Sequence, residues 1–183
     1  MTGTFVAVVG PSGAGKDSVI NFARDCLVDQ VVVVRRTVTR DADGGSEDHD
    51  SLSPAAFAAA ERDGQFALSW EAHGLCYGLP IALDDDLAEG RVVIANLSRA
   101  VLPKLLARYP TALVVEVTAE PEIIARRLAG RGREGGEEIR RRMERGAGFH
   151  LPSSTVQIDN SGALDLAGNR FVALLRDILR LPA

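Results

Sequence analysis

Cysteine and lysine are scarce in this chain of 183 residues, which has two cysteines, Cys26 and Cys76, and only Lys16 and Lys104 as lysines among 21 basic residues. Two scattered cysteines exclude a disulfide framework, and with no C-x-x-C pair or evident metal cluster they read as reduced thiols without a role. No apolar stretch approaches the roughly 20 residues of a membrane-spanning helix. Met1-Thr2-Gly3-Thr4 lacks the basic region of a signal peptide, so a cytoplasmic location is expected. A net charge of −4 argues against a general nucleic-acid binder. Repeats, low-complexity linkers, a Ser-His-Asp arrangement and a convincing pair of catalytic carboxylates are all missing.

Hydrophobic content of 46% with 25% charged residues is that of a soluble globular protein. A chain of this length buries ~70% of its unfolded surface as one domain. The apolar run Thr4-Phe5-Val6-Ala7-Val8-Val9 leads directly into Gly10-Pro11-Ser12-Gly13-Ala14-Gly15-Lys16-Asp17-Ser18. A strand that turns through glycines into a helix presents successive N–H groups and a helix N-terminus to an anion, and Lys16 can reach the β- and γ-phosphates of a nucleotide. This is a P-loop with one departure. Asp17 stands where the metal-binding Ser/Thr is expected, and the hydroxyl has moved to Ser18.

Strand-like runs at Thr4 to Val9, Val31 to Arg35, Val92 to Ala95, Ala112 to Val117 and Thr155 to Ile158 alternate with segments of helical periodicity. The spacing predicts helices from Lys16 to about Leu27, Leu102 to Arg108, Pro121 to Arg131, Glu137 to Gly146 and Leu164 to Leu181. This is an α/β three-layer pattern around a parallel five-stranded core sheet. Between the second and third of those strands, Ser53-Pro54 opens a short alanine-rich helix ending near Gly64, and Gln65 to Ser69 reads as a small strand. The boundaries expected are a core at about 1–35, 90–125 and 147–183, an acceptor-binding insertion at about 36–89, and a lid at about 126–146. Eight arginines lie between Arg126 and Arg145.

Over nearly its full length the chain resembles the guanylate kinase superfamily. The resemblance is carried by the P-loop, Thr37-Val38-Thr39-Arg40 with Glu47 beyond it, Phe66-x-x-x-Trp70, His73-Gly74-x-x-Tyr77-Gly78, and the lid segment Arg126-Arg127-Leu128-x-x-Arg131-Gly132-Arg133. Gly-Lys-Asp-Ser in the P-loop, Ala95-Asn96-Leu97-Ser98-Arg99 and Arg131-Gly132-Arg133-Glu134 make it most similar to the branch that phosphorylates ribose 1,5-bisphosphate in phosphonate catabolism. The resemblance implies a P-loop kinase with a small acceptor-binding subdomain and an Arg-rich lid. It would use ATP and Mg²⁺ to make 5-phosphoribosyl 1-diphosphate. Lys16, Arg131, Arg133 and Arg142 are then the expected catalytic residues. Gly10 to Ser18 hold the nucleotide phosphates, and Asn160 borders the adenine. Arg36, Arg40, Glu47, His73, Tyr77, Asn96, Ser98 and Arg99 are expected to line the acceptor site.

Guanylate kinases read the base edge with acidic side chains, one just before the tryptophan of the small subdomain and another at the end of the strand aligned with Val92 to Ala95. Here Ser69 precedes Trp70, and the strand end offers Asn96, Ser98 and Arg99. A site that loses such acceptors loses discrimination by roughly 10⁴ or more. Guanidinium forks pair with phosphate oxygens, so Arg36, Arg40 and Arg99 suit a compact sugar carrying two phosphates. Asp17 is the expected metal ligand, replacing the negative charge that Asn96 does not supply. Two other readings stay in competition: a guanylate or related nucleoside-monophosphate kinase, and a non-catalytic guanylate-kinase-like module.

Overall fold

The computed structural model describes residues 3–40, 49–72, 74–130 and 150–180. Their centre is a parallel sheet of β1 (Thr4–Val9), β2 (Val31–Val33), β7 (Val92–Asn96), β8 (Leu113–Thr118) and β9 (Val156–Asp159), in the order β2-β7-β1-β8-β9. β1 lies in the middle and is buried on both faces, which is why it reads as an unbroken apolar run. Val6 and Val8 face a core with α1 (Lys16–Cys26) and α6 (Leu164–Arg180). Phe5, Ala7 and Val9 face the other core, which includes Leu83 of α3 (Leu83–Ala88) and Leu102 and Leu105 of α4 (Leu102–Arg108). Helices on both faces make the three layers expected from the alternation of strands and helices.

A second sheet, in the order β4-β3-β6-β5, is built from β3 (Arg36–Val38), β4 (His49–Ser51), β5 (Phe66–Ala72) and β6 (Leu75–Pro80). The strand expected from Val31 to Arg35 is shorter, β2 stopping at Val33 in the core sheet, and the chain crosses to the second sheet as β3, a strand not expected from the sequence. Three residues are too few for an alternation to show, so periodicity does not mark β3. The short helix after Ser53 forms as α2 (Pro54–Arg62), with the Ser53 hydroxyl accepting from Ala56 N at 3.2 Å. α3, with three consecutive aspartates in its first turn, was not marked by any apolar stripe. The remaining expected elements form within a few residues, including α5 (Pro121–Gly130) with Pro121 at its start. The helix expected from Glu137 to Gly146 lies outside the described residues.

The two sheets are tied across the chain. Lys104 of α4 donates to the Ser69 carbonyl of β5 at 2.8 Å. α3 and α4 are joined by Asp84, which accepts from the Tyr109 hydroxyl and from Arg108, each at 2.6 Å. Burial, and then the bond to Asp84, push the Tyr109 phenol up to about 12, so it stays protonated as the donor. Among the described residues, no helix is long and apolar enough to cross a membrane.

α1 and α6 approach closely at Gly168, where an added Cβ would lie 2.4 Å from Cδ1 and 2.5 Å from Cγ of Phe22. Helix propensity alone would make Gly168→Ala stabilising by about 1 kcal/mol. Overpacking of this contact costs about 1–3 kcal/mol, so a net loss is expected in urea unfolding. A variant at least as stable as the parent would show that the Phe22 ring turns aside freely.

Candidate active site

The Gly10 to Ser18 turn connects β1 to α1 at the carboxyl end of the sheet, the edge where parallel α/β folds place ligands. Gly15, the residue before α1, has φ +87°, and an added Cβ would lie 2.4 Å from Asn160 Nδ2. The turn is held from beneath through one carbonyl. Ala14 O accepts from Asn160 Nδ2 at 2.7 Å and from Arg127 Nη1 at 3.3 Å, while Arg127 Nη2 donates to Asn160 O at 2.9 Å. With that carbonyl bonded, the backbone of the turn is held in shape, which a glycine-rich turn needs if it is to present N–H groups to an anion. Lys16 Nζ arches over the turn and donates to the carbonyls of Gly10 and Pro11, both at 3.0 Å.

Asp17 and Asn96, 79 residues apart, meet here: Asn96 Nδ2 donates to Asp17 Oδ1 at 2.6 Å. Asn96 is buried at the end of β7, and its Oδ1 has no hydrogen-bond partner among the described residues. The amide carries two functions, because its backbone carbonyl also accepts from Arg36 Nη1 at 3.3 Å. Arg36 lies 5.9 Å from the centroid of the Tyr77 ring, and that ring stacks on Trp70 at 5.4 Å with 9° between planes. One continuous path therefore runs from the phosphate turn through Asp17, Asn96 and Arg36 to the aromatic pair of the second sheet.

The other expected acceptor residues are distributed around this path. Arg40 is half-buried just beyond β3. Ser98 caps the 3₁₀ turn Arg99–Val101, its Oγ accepting from Ala100 N at 3.4 Å. Arg99 Nη1 lies 3.7 Å from Glu116 Oε1. Asn160, expected beside adenine, is only 2% exposed and directs its Nδ2 to Ala14. Glu47, His73, Arg131, Arg133 and Arg142 lie outside the described residues. Sequence reasoning missed Glu116, although the signal was present: it is the single charge in the buried strand Leu113–Thr118. Cys26 is exposed and Cys76 half-buried, and both are free thiols.

Comparison with known proteins follows the same lines. No protein-family model matches the chain. The ribose 1,5-bisphosphate phosphokinase of Brucella melitensis is 50% identical over 179 residues, covering 96% of this chain and 93% of the relative. That of Pseudomonas paraeruginosa is 45% identical over 168 residues, covering 90% and 91%. Among solved structures, the guanylate kinase from Anaplasma phagocytophilum superposes with a TM-score of 0.69 at 18% identity, over 98% of this chain and 88% of the other, a likeness of fold.

The Ala14 carbonyl is the point at which the turn can be loosened without touching the nucleotide-facing amides. Asn160→Ala leaves Arg127 as its remaining partner and removes a buried hydrogen bond, a cost of about 1–3 kcal/mol. The expected result is ATP binding weakened by about 5- to 150-fold by calorimetry, one decade being about 1.4 kcal/mol. Unchanged ATP affinity in a folded variant would show that the turn keeps its shape without Asn160.

Proposed function

The chain belongs to the ribose 1,5-bisphosphate phosphokinase family, and from that membership we propose that it transfers the γ-phosphoryl group of ATP to ribose 1,5-bisphosphate, giving 5-phosphoribosyl 1-diphosphate and ADP in phosphonate catabolism. The observation that carries this reading is the joined path from Asp17 to Tyr77: it links a nucleotide-phosphate turn to the Arg36 guanidinium and the aromatic pair of the second sheet. In this reading residues 36–89 form the acceptor-binding subdomain and residues 126–146 the lid.

The acceptor is a phosphate oxygen already ionised near neutrality, so no side chain has to remove a proton. What remains is to align two anions and neutralise their charge. Lys16 and the amides of the turn bind the donor's phosphates, with Arg127 and Asn160 holding the turn in shape. Arg36, Arg40 and Arg99 bind the acceptor's phosphates, and the Tyr77 hydroxyl adds a donor. Arg131, Arg133 and Arg142 are the proposed catalytic arginines that neutralise charge on the transferring group, and Glu47 and His73 are proposed acceptor residues. Ser69, in place of a base-reading carboxylate, donates its hydroxyl to Glu61.

The pair Asp17 and Asn96 fits a divalent cation. The carboxylate supplies negative charge, and the buried Oδ1 of Asn96, without a partner among the described residues, supplies a neutral oxygen of the kind Mg²⁺ accepts. Asp17 would be the ligand, with Asn96 orienting it. Mg²⁺ bound there would offset charge on the β- and γ-phosphates.

With ATP and Mg²⁺, phosphorus NMR is expected to show ribose 1,5-bisphosphate converted and GMP poorer by a factor on the order of 10⁴ in kcat/KM. GMP as the better acceptor would end this reading, and ATP bound but spent on neither acceptor would leave a non-catalytic module. Asp17→Ser is expected to raise the Mg²⁺ concentration for half-maximal turnover at least about tenfold, since a carboxylate ligand is worth at least the roughly 1.4 kcal/mol of one decade. Adding Asn96→Asp, which returns the negative charge from the neighbouring strand, should recover part of the loss. An unchanged metal requirement and turnover in Asp17→Ser would remove Asp17 from the metal site.

A further inference from the structure

We propose that Glu116 is a positioning residue that fixes the Arg99 guanidinium in the acceptor pocket. The inference rests on the acceptor reading of Arg99 given above, and concerns a residue to which that reading assigned no part. Glu116 lies on β8, paired in register with Val9, the residue immediately before the phosphate turn. Its carboxylate is buried in a strand that is otherwise apolar apart from its terminal Thr118. A charge in such a place persists only with partners. Glu116 has two, from different elements: Oε1 lies 3.7 Å from Arg99 Nη1, and Oε2 accepts from Gln157 Nε2 of β9 at 3.1 Å. The Arg99 and Glu116 side chains are 14% and 10% exposed, so solvent and salt screen the pair little.

Arg99 is held at both ends. Its backbone opens the 3₁₀ turn that the Ser98 hydroxyl caps, and its head meets Glu116. A guanidinium carries its five N–H donors in a rigid planar fork, so a carboxylate 3.7 Å from one nitrogen limits by charge attraction where the fork can lie. Without Glu116 the head loses this anchor, and more of its ordering falls on the binding step. Glu116 thus orders Arg99 before the acceptor arrives, and Gln157 keeps Glu116 in line. The alternative effect has the opposite sign: a carboxylate that only damped the local positive charge would weaken the binding of an anionic acceptor, and removing it would tighten binding.

The test is a double-mutant cycle in steady-state kinetics, with ATP and ribose 1,5-bisphosphate each varied, for the parent, Glu116→Gln, Arg99→Ala and the double variant. Glu116→Gln is expected to lower kcat/KM for the acceptor by about 10- to 100-fold, the scale on which a misplaced binding group acts. The KM for ATP should stay within about twofold, since neither Arg99 nor Glu116 has a part in holding the donor in this reading. In the Arg99→Ala background the same change should have almost no effect. Gln157→Ala alters an exposed residue and keeps the test open should Glu116→Gln fail to fold; a smaller loss in the same direction, again absent without Arg99, is expected. A lower acceptor KM in Glu116→Gln, an equal rise in both KM values, or additivity with Arg99→Ala would overturn the inference. If the parent prefers GMP, the acceptor reading falls. The cycle run with GMP then decides separately whether Glu116 acts through Arg99.

Discussion

The inward-facing carbonyl of Ala14 is the constraint on which the site depends. A glycine-rich turn has many conformations open to it, and only a narrow set presents several N–H groups to one anion. Asn160, anchored by its own N–H to Thr118 O at 2.8 Å, and Arg127, from α5, both donate to that carbonyl. They stand on either side of residues 131–149 in the sequence. The phosphate turn, the end of the sheet and α5 are therefore one hydrogen-bonded unit, and Gly15 is needed because the Asn160 amide occupies the space of a side chain.

From that unit a short polar relay runs to the aromatic pair of the second sheet. Asp17 projects from the first turn of α1, Asn96 meets it from β7, and the Asn96 carbonyl holds Arg36 beside Tyr77. In the usual arrangement a loop hydroxyl meets a strand-end carboxylate. Here the negative charge sits on the loop and the neutral polar group on the strand. Such a pair preserves the hydrogen bond and the total charge. Glu116 and Gln157 extend the same principle one strand further, to Arg99.

Much of this was legible in the sequence. The buried central strand announced itself as an apolar run ending in glycines, and Pro121 and Ser53 marked helix starts. The Asp17 and Asn96 departures were visible as two isolated oddities, but their contact depends on the parallel pairing of β1 with β7, which no local pattern encodes. For the same reason β3 went unmarked: three residues carry no visible alternation, and pairing with β4 and β6 makes them a strand. Asn160 was placed by its position after the last strand, yet its bond to Ala14 spans 146 residues. Glu116 carried a readable signal, a lone carboxylate in an apolar strand, whose meaning came only with the position of Arg99.

Trp70 is the only tryptophan of the chain and stacks on Tyr77, at the end of the relay proposed to receive the acceptor, so its fluorescence serves as a reporter there. The most direct test of the central claim is a titration of this signal in the presence of a non-hydrolysable ATP analogue. Ribose 1,5-bisphosphate is expected to give a saturable change, and GMP over the same concentrations none. Saturation by GMP with no response to the pentose bisphosphate would contradict the account.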